Sequence, residues 1–308
     1  MTIRIVGIVL VRDEENFLAW AVGNAIDFCD EMLLIDNGSR DSTPERIAAL
    51  AARHAKIRVI REPRALHTNR YVQPYLGKPV WVFGLDGDEI YDRDALLQLR
   101  GKLLAGAYSC NWSITGHSLH ASLVDIAAGR ATGYATPHAV AATKLYNFAL
   151  IESWHEDTQR LHGRPVLRPG HSHDSWLDRA ATESWQDCDL RNLHLCFFPR
   201  SGRDGTIEVR KNITDRSLRN VWRRPVFRAL QALGLGRGRL GAYLTPRATI
   251  KKYVRYMLGP LTERDVSGML RPTAYGDSDP RAAGTEAMLS ELSARRAASP
   301  DLRPPQRP

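Results

Sequence analysis

A doubly wound α/β fold around a mostly parallel sheet is what this 308-residue sequence predicts, and three observations carry the prediction. Apolar runs of strand length recur at Ile3–Val11, Met32–Ile35 and Val80–Leu85, and such runs read as strands buried on both faces. Segments with helical periodicity separate them, as parallel crossovers require. Each run also stops abruptly at acidic residues, where an open α/β sheet collects its ligands beyond the carboxyl ends of its strands.

In chain order, the strand ending at Val11 gives way to Arg12-Asp13-Glu14-Glu15-Asn16 and then to a helix with Leu18, Ala21, Val22, Ala25, Ile26 and Cys29 on one face. Met32–Ile35 runs into Asp36-Asn37-Gly38-Ser39-Arg40-Asp41-Ser42. Thr43 before Pro44 reads as an N-cap and first helical residue. Ile57–Ile60 is a third strand, and Pro63–Gly77 is partly helical. The fourth strand ends in Asp86-Gly87-Asp88-Glu89. Arg93–Leu104 reads as a helix, Tyr108–Gly116 and Lys144–Phe148 as strands, and His117–His138 as a loop or insertion broken by Gly129, Gly133 and Pro137.

Asp86 and Asp88, one glycine apart, can share a hard cation such as Mg2+ or Mn2+, which takes oxygen ligands and keeps room for phosphate. They can equally form a polar turn, with Asp92 capping the next helix. No G-x-G-x-x-G follows the first strand and no Walker loop is present, so the usual glycine cradle for phosphate is missing. A nucleotide site here would have to read base and ribose with carboxylates and hold the diphosphate through a metal.

Composition bounds the rest. The apolar and charged fractions are those of a globular protein, and no apolar run approaches the roughly 20 residues that span a bilayer. The first residues lack a signal-peptide layout, which makes the cytoplasm the expected compartment. Cys29, Cys110, Cys188 and Cys196 show no C-x-x-C spacing and read as buried thiols. Residues 200–308 hold 22 Lys and Arg against 10 Asp and Glu, a net of +12, whereas residues 1–199 hold 21 against 24, a net of −3. The basic character belongs to the last third. Within it, 217–258 mixes arginine and lysine with Trp, Phe, Tyr and Leu. That pattern suits an anionic membrane surface, core packing under arginine stems, or nucleic acid, with the last the least expected.

Taken together, Val9–Leu18, Leu33–Thr43 and Leu85–Glu89 resemble, in order and spacing, three motifs of the family 2 glycosyltransferases of GT-A fold. The resemblance covers about the first 115 residues well and the next 85 loosely. It implies a Rossmann-like nucleotide-binding half (1–107) and an acceptor half (108–199); composition then predicts a basic, mostly helical region (200–296) and a Pro- and Arg-rich disordered tail (297–308). It also implies that Val11, Arg12, Glu14, Asp36 and Asp86 contact the nucleotide sugar, with Glu14 and Asp36 on base and ribose. Asp86 and Asp88 become the D-x-D metal ligands, with Mn2+ or Mg2+ as cofactor. Asp13 stands where many relatives have Asn.

Glu152-Ser153-Trp154-His155-Glu156-Asp157 resembles the segment that supplies the base in inverting members. Both Glu156 and Asp157 qualify, because one carboxylate near the acceptor hydroxyl suffices. His194 resembles a third metal ligand, while a histidine in an apolar strand is also an ordinary core residue. His171 and His173 read as structural or acceptor-side. The implied activity is sugar transfer from a nucleotide-sugar donor to a glycan, lipid-linked or small-molecule acceptor in cell-surface glycan synthesis. The rival is a degenerate, inactive domain docked to a membrane or partner through its basic third. A nucleotidyltransferase would need a glycine-rich basic loop after the first strand. A haloacid-dehalogenase phosphatase would carry its acids on the leading strand. Neither pattern is present.

Overall fold

The computed structural model describes residues 2–137, 144–203, 256–270 and 280–298. β1 (Arg4–Val11), β2 (Glu31–Asp36), β3 (Ile57–Arg61) and β4 (Val80–Leu85) form the parallel core of the main sheet, in the order β4-β1-β2-β3. Its other side is extended by β9 (Leu145–Asn147), β6 (Ser113–Thr115) and β12 (Trp176–Asp178), with β9 antiparallel to both β4 and β6. The sheet is mixed but mostly parallel, as expected of the GT-A type.

Alternation explains why the strand runs are apolar throughout. Ile5, Val9, Val11, Met32, Leu34, Trp81, Phe83 and Leu85 face α1 (Leu18–Ala25), α2 (Thr43–Arg53) and α3 (Arg93–Leu104). Val6, Ile8, Leu10, Leu33, Ile35, Val80 and Val82 fill the opposite face, against Tyr146, Trp154 and Leu161. Phe83 and Tyr91 lie on either side of the D-x-D turn and meet edge to face at 5.0 Å, which holds the two limbs of that turn together.

A second sheet carries β5 (Glu89–Tyr91), β13 (Arg191–His194), β7 (His117–Asp125), β8 (Arg130–Ala135) and β14 (Leu261–Asp265), in the order β5-β13-β7-β8-β14. Here the structure corrects the sequence reading. His117–Ala135 is a β-hairpin, not a loop. Its alternation is hidden by a register shift between Ala121 and Leu123, which moves the buried set from Leu119 and Ala121 to Val124. The strand read over Tyr108–Gly116 is only Ser113–Thr115, because Tyr108 has φ of 62° and turns the chain. Of the cysteines read as buried thiols, Cys29 and Cys188 are buried and Cys110 is exposed.

Described residues beyond the expected division at residue 200 share a sheet and a core with residues before it. β14 pairs with β8. α5 (Ser267–Leu270) and α6 (Pro280–Ala298) place Met269, Leu270 and Leu289 in one core with Leu119, Ala121, Leu193 and Phe198. Residues 204–255 and 271–279 lie outside the described residues, and with them most of the basic stretch 217–258. Of its described end, Tyr256 packs on His120 and His194, and Met257 is buried. The tail reading at 297–308 is met by α6 as far as Ala298, and 299–308 lies outside the described residues. No helix among the described residues is long and apolar enough to cross a membrane.

Candidate active site

The ends of β1 and β2 are tied together by their polar residues. Asp13 sits at φ 51°, a left-handed conformation that Asp and Asn tolerate best. Its N–H donates to Ser39 Oγ at 3.0 Å, and its Oδ1 accepts from Arg40 N–H at 2.7 Å. Asp36 Oδ1 accepts from Ser39 N–H at 2.9 Å, and the Val11 carbonyl accepts from Asn37 N–H at 2.9 Å. Ser42, not Thr43, is the N-cap of α2. Thr43 Oγ1 is used instead to accept the Glu14 N–H at 2.8 Å. Val11, Glu14 and Asp36 are buried and Arg12 is half-buried, so the four side chains stand around one pair of stitched loops.

Asp86 follows β4 directly and Asp88 is only 1% exposed. Gly87 makes this approach possible. A Cβ there would meet Val11 Cγ1 at 3.0 Å and Glu14 Cβ at 3.3 Å, so the D-x-D turn lies against the Glu14 loop.

Four basic groups surround the acids, and three of them lay outside the sequence reading. The Arg160 guanidinium bonds Asp86 and the Leu85 carbonyl. Lys144 Nζ is 2.6 Å from Glu89 Oε1 and 3.3 Å from Asp86 Oδ2. Arg200 Nη1 is 3.1 Å from both Asp88 Oδ2 and Glu14 Oε1. The fourth is His194, whose Nε2 is 3.5 Å from Asp88 Oδ2. Burial pushes both aspartates toward the neutral form, but the cations outweigh it. Arg160 and Lys144 hold Asp86 well below the usual carboxylate range, and Arg200 and His194 do the same for Asp88. Burial raises Glu89, with Lys144 opposing, and Lys144 itself is held charged by Glu89 and Asp86 against its own burial. Burial lowers His194, yet Cys196 and Asp88 bring it well above the ordinary histidine value.

Asp88 Oδ1 is buried and has no hydrogen-bond partner among the described residues. An ionised carboxylate oxygen stripped of water needs a partner. A divalent cation beside Asp86 fits that need and that oxygen-donor chemistry.

Glu156 and Asp157 lie on an exposed loop between β10 (Ile151–Ser153) and β11 (Val166–Leu167). Asp157 Oδ1 is 3.1 Å from His67 Nδ1. The loop is anchored by Asn69 Nδ2 donating to the His155 carbonyl at 2.9 Å, and by Arg160 N–H donating to Thr68 Oγ1 at 2.8 Å. It therefore delivers Arg160 to Asp86 with the two candidate bases a few residues away. His171 is exposed, and His173 Nε2 bonds the Pro165 carbonyl at 3.0 Å, which is a structural contact. Of the three missed cations, Lys144 had one faint signal, its place just before the strand Leu145–Asn147, and Arg160 and Arg200 had none.

The acids Glu14, Asp36, Asp86 and Asp88 gather at the ends of β1, β2 and β4. Residues 8–124, which carry all three of those strand ends, match the family model described as glycosyl transferase family 2. Among solved structures, the chain is similar to glucosyl-3-phosphoglycerate synthase from Mycobacterium tuberculosis in complex with Mn2+, UDP and glucosyl-3-phosphoglycerate. The identity there is 22%, with 37% of this chain and 44% of that one covered and a TM-score of 0.27. The same enzyme with Mg2+ and UDP gives 21%, 37%, 43% and 0.29. A mannosyltransferase from Pyrobaculum calidifontis in complex with GDP-Man and Mn2+ gives 16% identity over 97% of this chain and 76% of that one, with a TM-score of 0.36. The match spans less than half the length of the Mycobacterium structures. Comparison with curated proteins gives no match.

Proposed function

We propose that this chain moves a sugar from a nucleotide-sugar donor to an acceptor hydroxyl, with inversion, using Mn2+ or Mg2+ held by Asp86, Asp88 and His194. The observation that carries the reading is Asp88: buried, ionised, and left with an oxygen that no described residue bonds. When bound, the ion supplies positive charge to the departing diphosphate. Glu14 and Asp36 orient base and ribose beside Val11 and Arg12. Glu156 or Asp157 takes the proton of the acceptor hydroxyl. Cell-surface glycans, lipid-linked sugars or small hydroxylated molecules are the acceptor classes.

Charge balance refines this reading. Asp86, Asp88 and Glu89 already face Lys144, Arg160 and Arg200, so a divalent ion arriving alone adds uncompensated charge to a buried site. An anionic diphosphate restores the balance. Metal and nucleotide therefore bind together.

Thermal shift against UDP, GDP, CDP and dTDP, with and without Mn2+, tests the proposal. Stabilisation by one nucleotide, dependent on metal, is the expected result. No stabilisation by any of them in a folded sample moves the assignment to an inactive binding domain.

A further inference from the structure

β7 and β13 run parallel and in register, with His120 opposite His194, so both imidazoles leave the second sheet side by side. His194 turns two edges to two neighbours. Its Nε2 faces Asp88 Oδ2 at 3.5 Å, and its Nδ1 lies 2.8 Å from His120 Nδ1. His120 Nε2 in turn lies 2.7 Å from Thr136 Oγ1. The Tyr256 ring covers both imidazoles, with centroids 4.6 Å from His120 and 5.2 Å from His194.

Cys196 Sγ is 3.8 Å from His120 Nδ1, and His120, His194 and Cys196 together have the composition of a soft-metal site. The distance between the nitrogens decides against it. Two nitrogens on one tetrahedral zinc, each at roughly 2.0–2.1 Å, stand about 3.3 Å apart. A separation of 2.8 Å is that of a hydrogen bond. The spacing of the two rings is that of a shared proton.

We propose that His120 is a positioning residue that fixes the tautomer of His194 for metal binding. A histidine that ligates a metal is neutral, and with His194 neutral two proton arrangements fit the chain Thr136–His120–His194. In one, the Thr136 hydroxyl donates to His120 Nε2, His120 Nδ1–H donates to His194 Nδ1, and His194 Nε2–H points at Asp88. In the other, His194 Nδ1–H donates to His120 Nδ1, and His120 Nε2–H donates to Thr136 Oγ1. Only the second leaves the Nε2 lone pair of His194 facing the cation at Asp88. His120 supplies the acceptor that stabilises it, as outer partners of ligating histidines do. This inference rests on the reading of Asp86, Asp88 and His194 as the metal site.

The test is Mn2+ affinity of the full chain in the presence of the nucleoside diphosphate that stabilises it, read from the free-ion electron paramagnetic resonance signal, beside 15N spectra of the His194 imidazole in the Mg2+-loaded protein. His120→Phe keeps a ring beneath Tyr256 but removes the acceptor, and should weaken Mn2+ by about 10–100-fold. His120→Asn returns an acceptor at the place of Nδ1 and should recover most of the affinity. Thr136→Val, at the far end of the chain, should weaken Mn2+ in the same direction and serves if the Phe variant does not fold. The spectra should show His194 protonated at Nδ1. Unchanged affinity in both His120→Phe and Thr136→Val, or a His194 proton on Nε2 with metal bound, overturns the inference. So does a Co2+–thiolate absorption band that Cys196→Ser abolishes. Absence of Mn2+ binding by the native chain with any of the four nucleoside diphosphates present removes the metal reading itself, and the relay falls with it.

Discussion

Arg200 Nη1 lies 3.1 Å from Asp88 Oδ2, on a carboxylate that is 1% exposed. The same guanidinium nitrogen holds Glu14 at 3.1 Å, so one side chain from beyond β13 bridges the β1 loop and the D-x-D turn. It supplies the positive charge that a cation would bring.

Arg200→Ala should therefore destabilise the metal-free protein by about 3–5 kcal/mol, the cost of leaving a buried charge without its partner. Mn2+ should restore part of that loss and raise the melting temperature more in the variant than in the native chain. Thermal melts of both proteins with and without Mn2+ check this, and equal shifts count against it.

Gly87→Ala places a methyl 3.0 Å from Val11 Cγ1 and 3.3 Å from Glu14 Cβ. The cost should be about 1–3 kcal/mol of stability from overpacking. Nucleotide affinity should fall as well, because the strain separates the two loops that form the site. Chemical denaturation and nucleotide titration of the same variant measure both.

Glu156 and Asp157 are both exposed, so neither Glu156→Gln nor Asp157→Asn should move stability beyond about 0.5 kcal/mol. The variant that removes the base should lose about 10²–10⁴-fold in kcat, the usual contribution of general base catalysis. Steady-state kinetics with the nucleotide sugar identified by thermal shift separate the two. Near-native kcat in both variants would remove this loop from the chemistry.

The strands were legible because they are buried on both faces. The alternate residues Val9 and Leu10 lie in different cores, so β1 is apolar throughout and visible as a run. Asp86 and Asp88 were legible because charge ends that run. The partners of those acids were not. Lys144, Arg160 and Arg200 arrive from three distant segments, and nothing local distinguishes a buried arginine from a surface one. β7 was hidden by its bulge, and β14 by an edge position whose residues alternate between exposed and half-buried. His120 lies within the segment read as a loop, and its pairing opposite His194 depends on a register that the sequence does not carry.

Asp30 offers a pH test away from the site. It accepts from Ile5 N–H at 2.7 Å and from Arg100 Nη2 at 2.5 Å, fastening β1 and α3 to the turn before β2. Partial burial raises its pKa, but Arg100 and the Ile5 N–H bring the net value below the ordinary 3.8. A carboxyl depressed in the folded state contributes stability that is fully present above its unfolded pKa and is lost as pH falls through its folded one. The stability gap between native protein and Asp30→Asn should be widest at neutral pH and should close below about pH 4. Urea melts at pH 7 and pH 3 give the comparison, and a gap that widens in acid contradicts the assignment.

The most direct measurement is calorimetric titration of Mn2+ into the native chain and into Asp88→Asn, each with and without the nucleoside diphosphate that stabilises the protein. The account predicts weak Mn2+ binding to the native chain alone, much tighter binding with nucleotide, and loss of the nucleotide-dependent gain in Asp88→Asn. Equal Mn2+ binding by native and variant protein in the presence of nucleotide would contradict it, and would leave Asp86 and Asp88 as a turn neutralised by Arg160, Lys144 and Arg200.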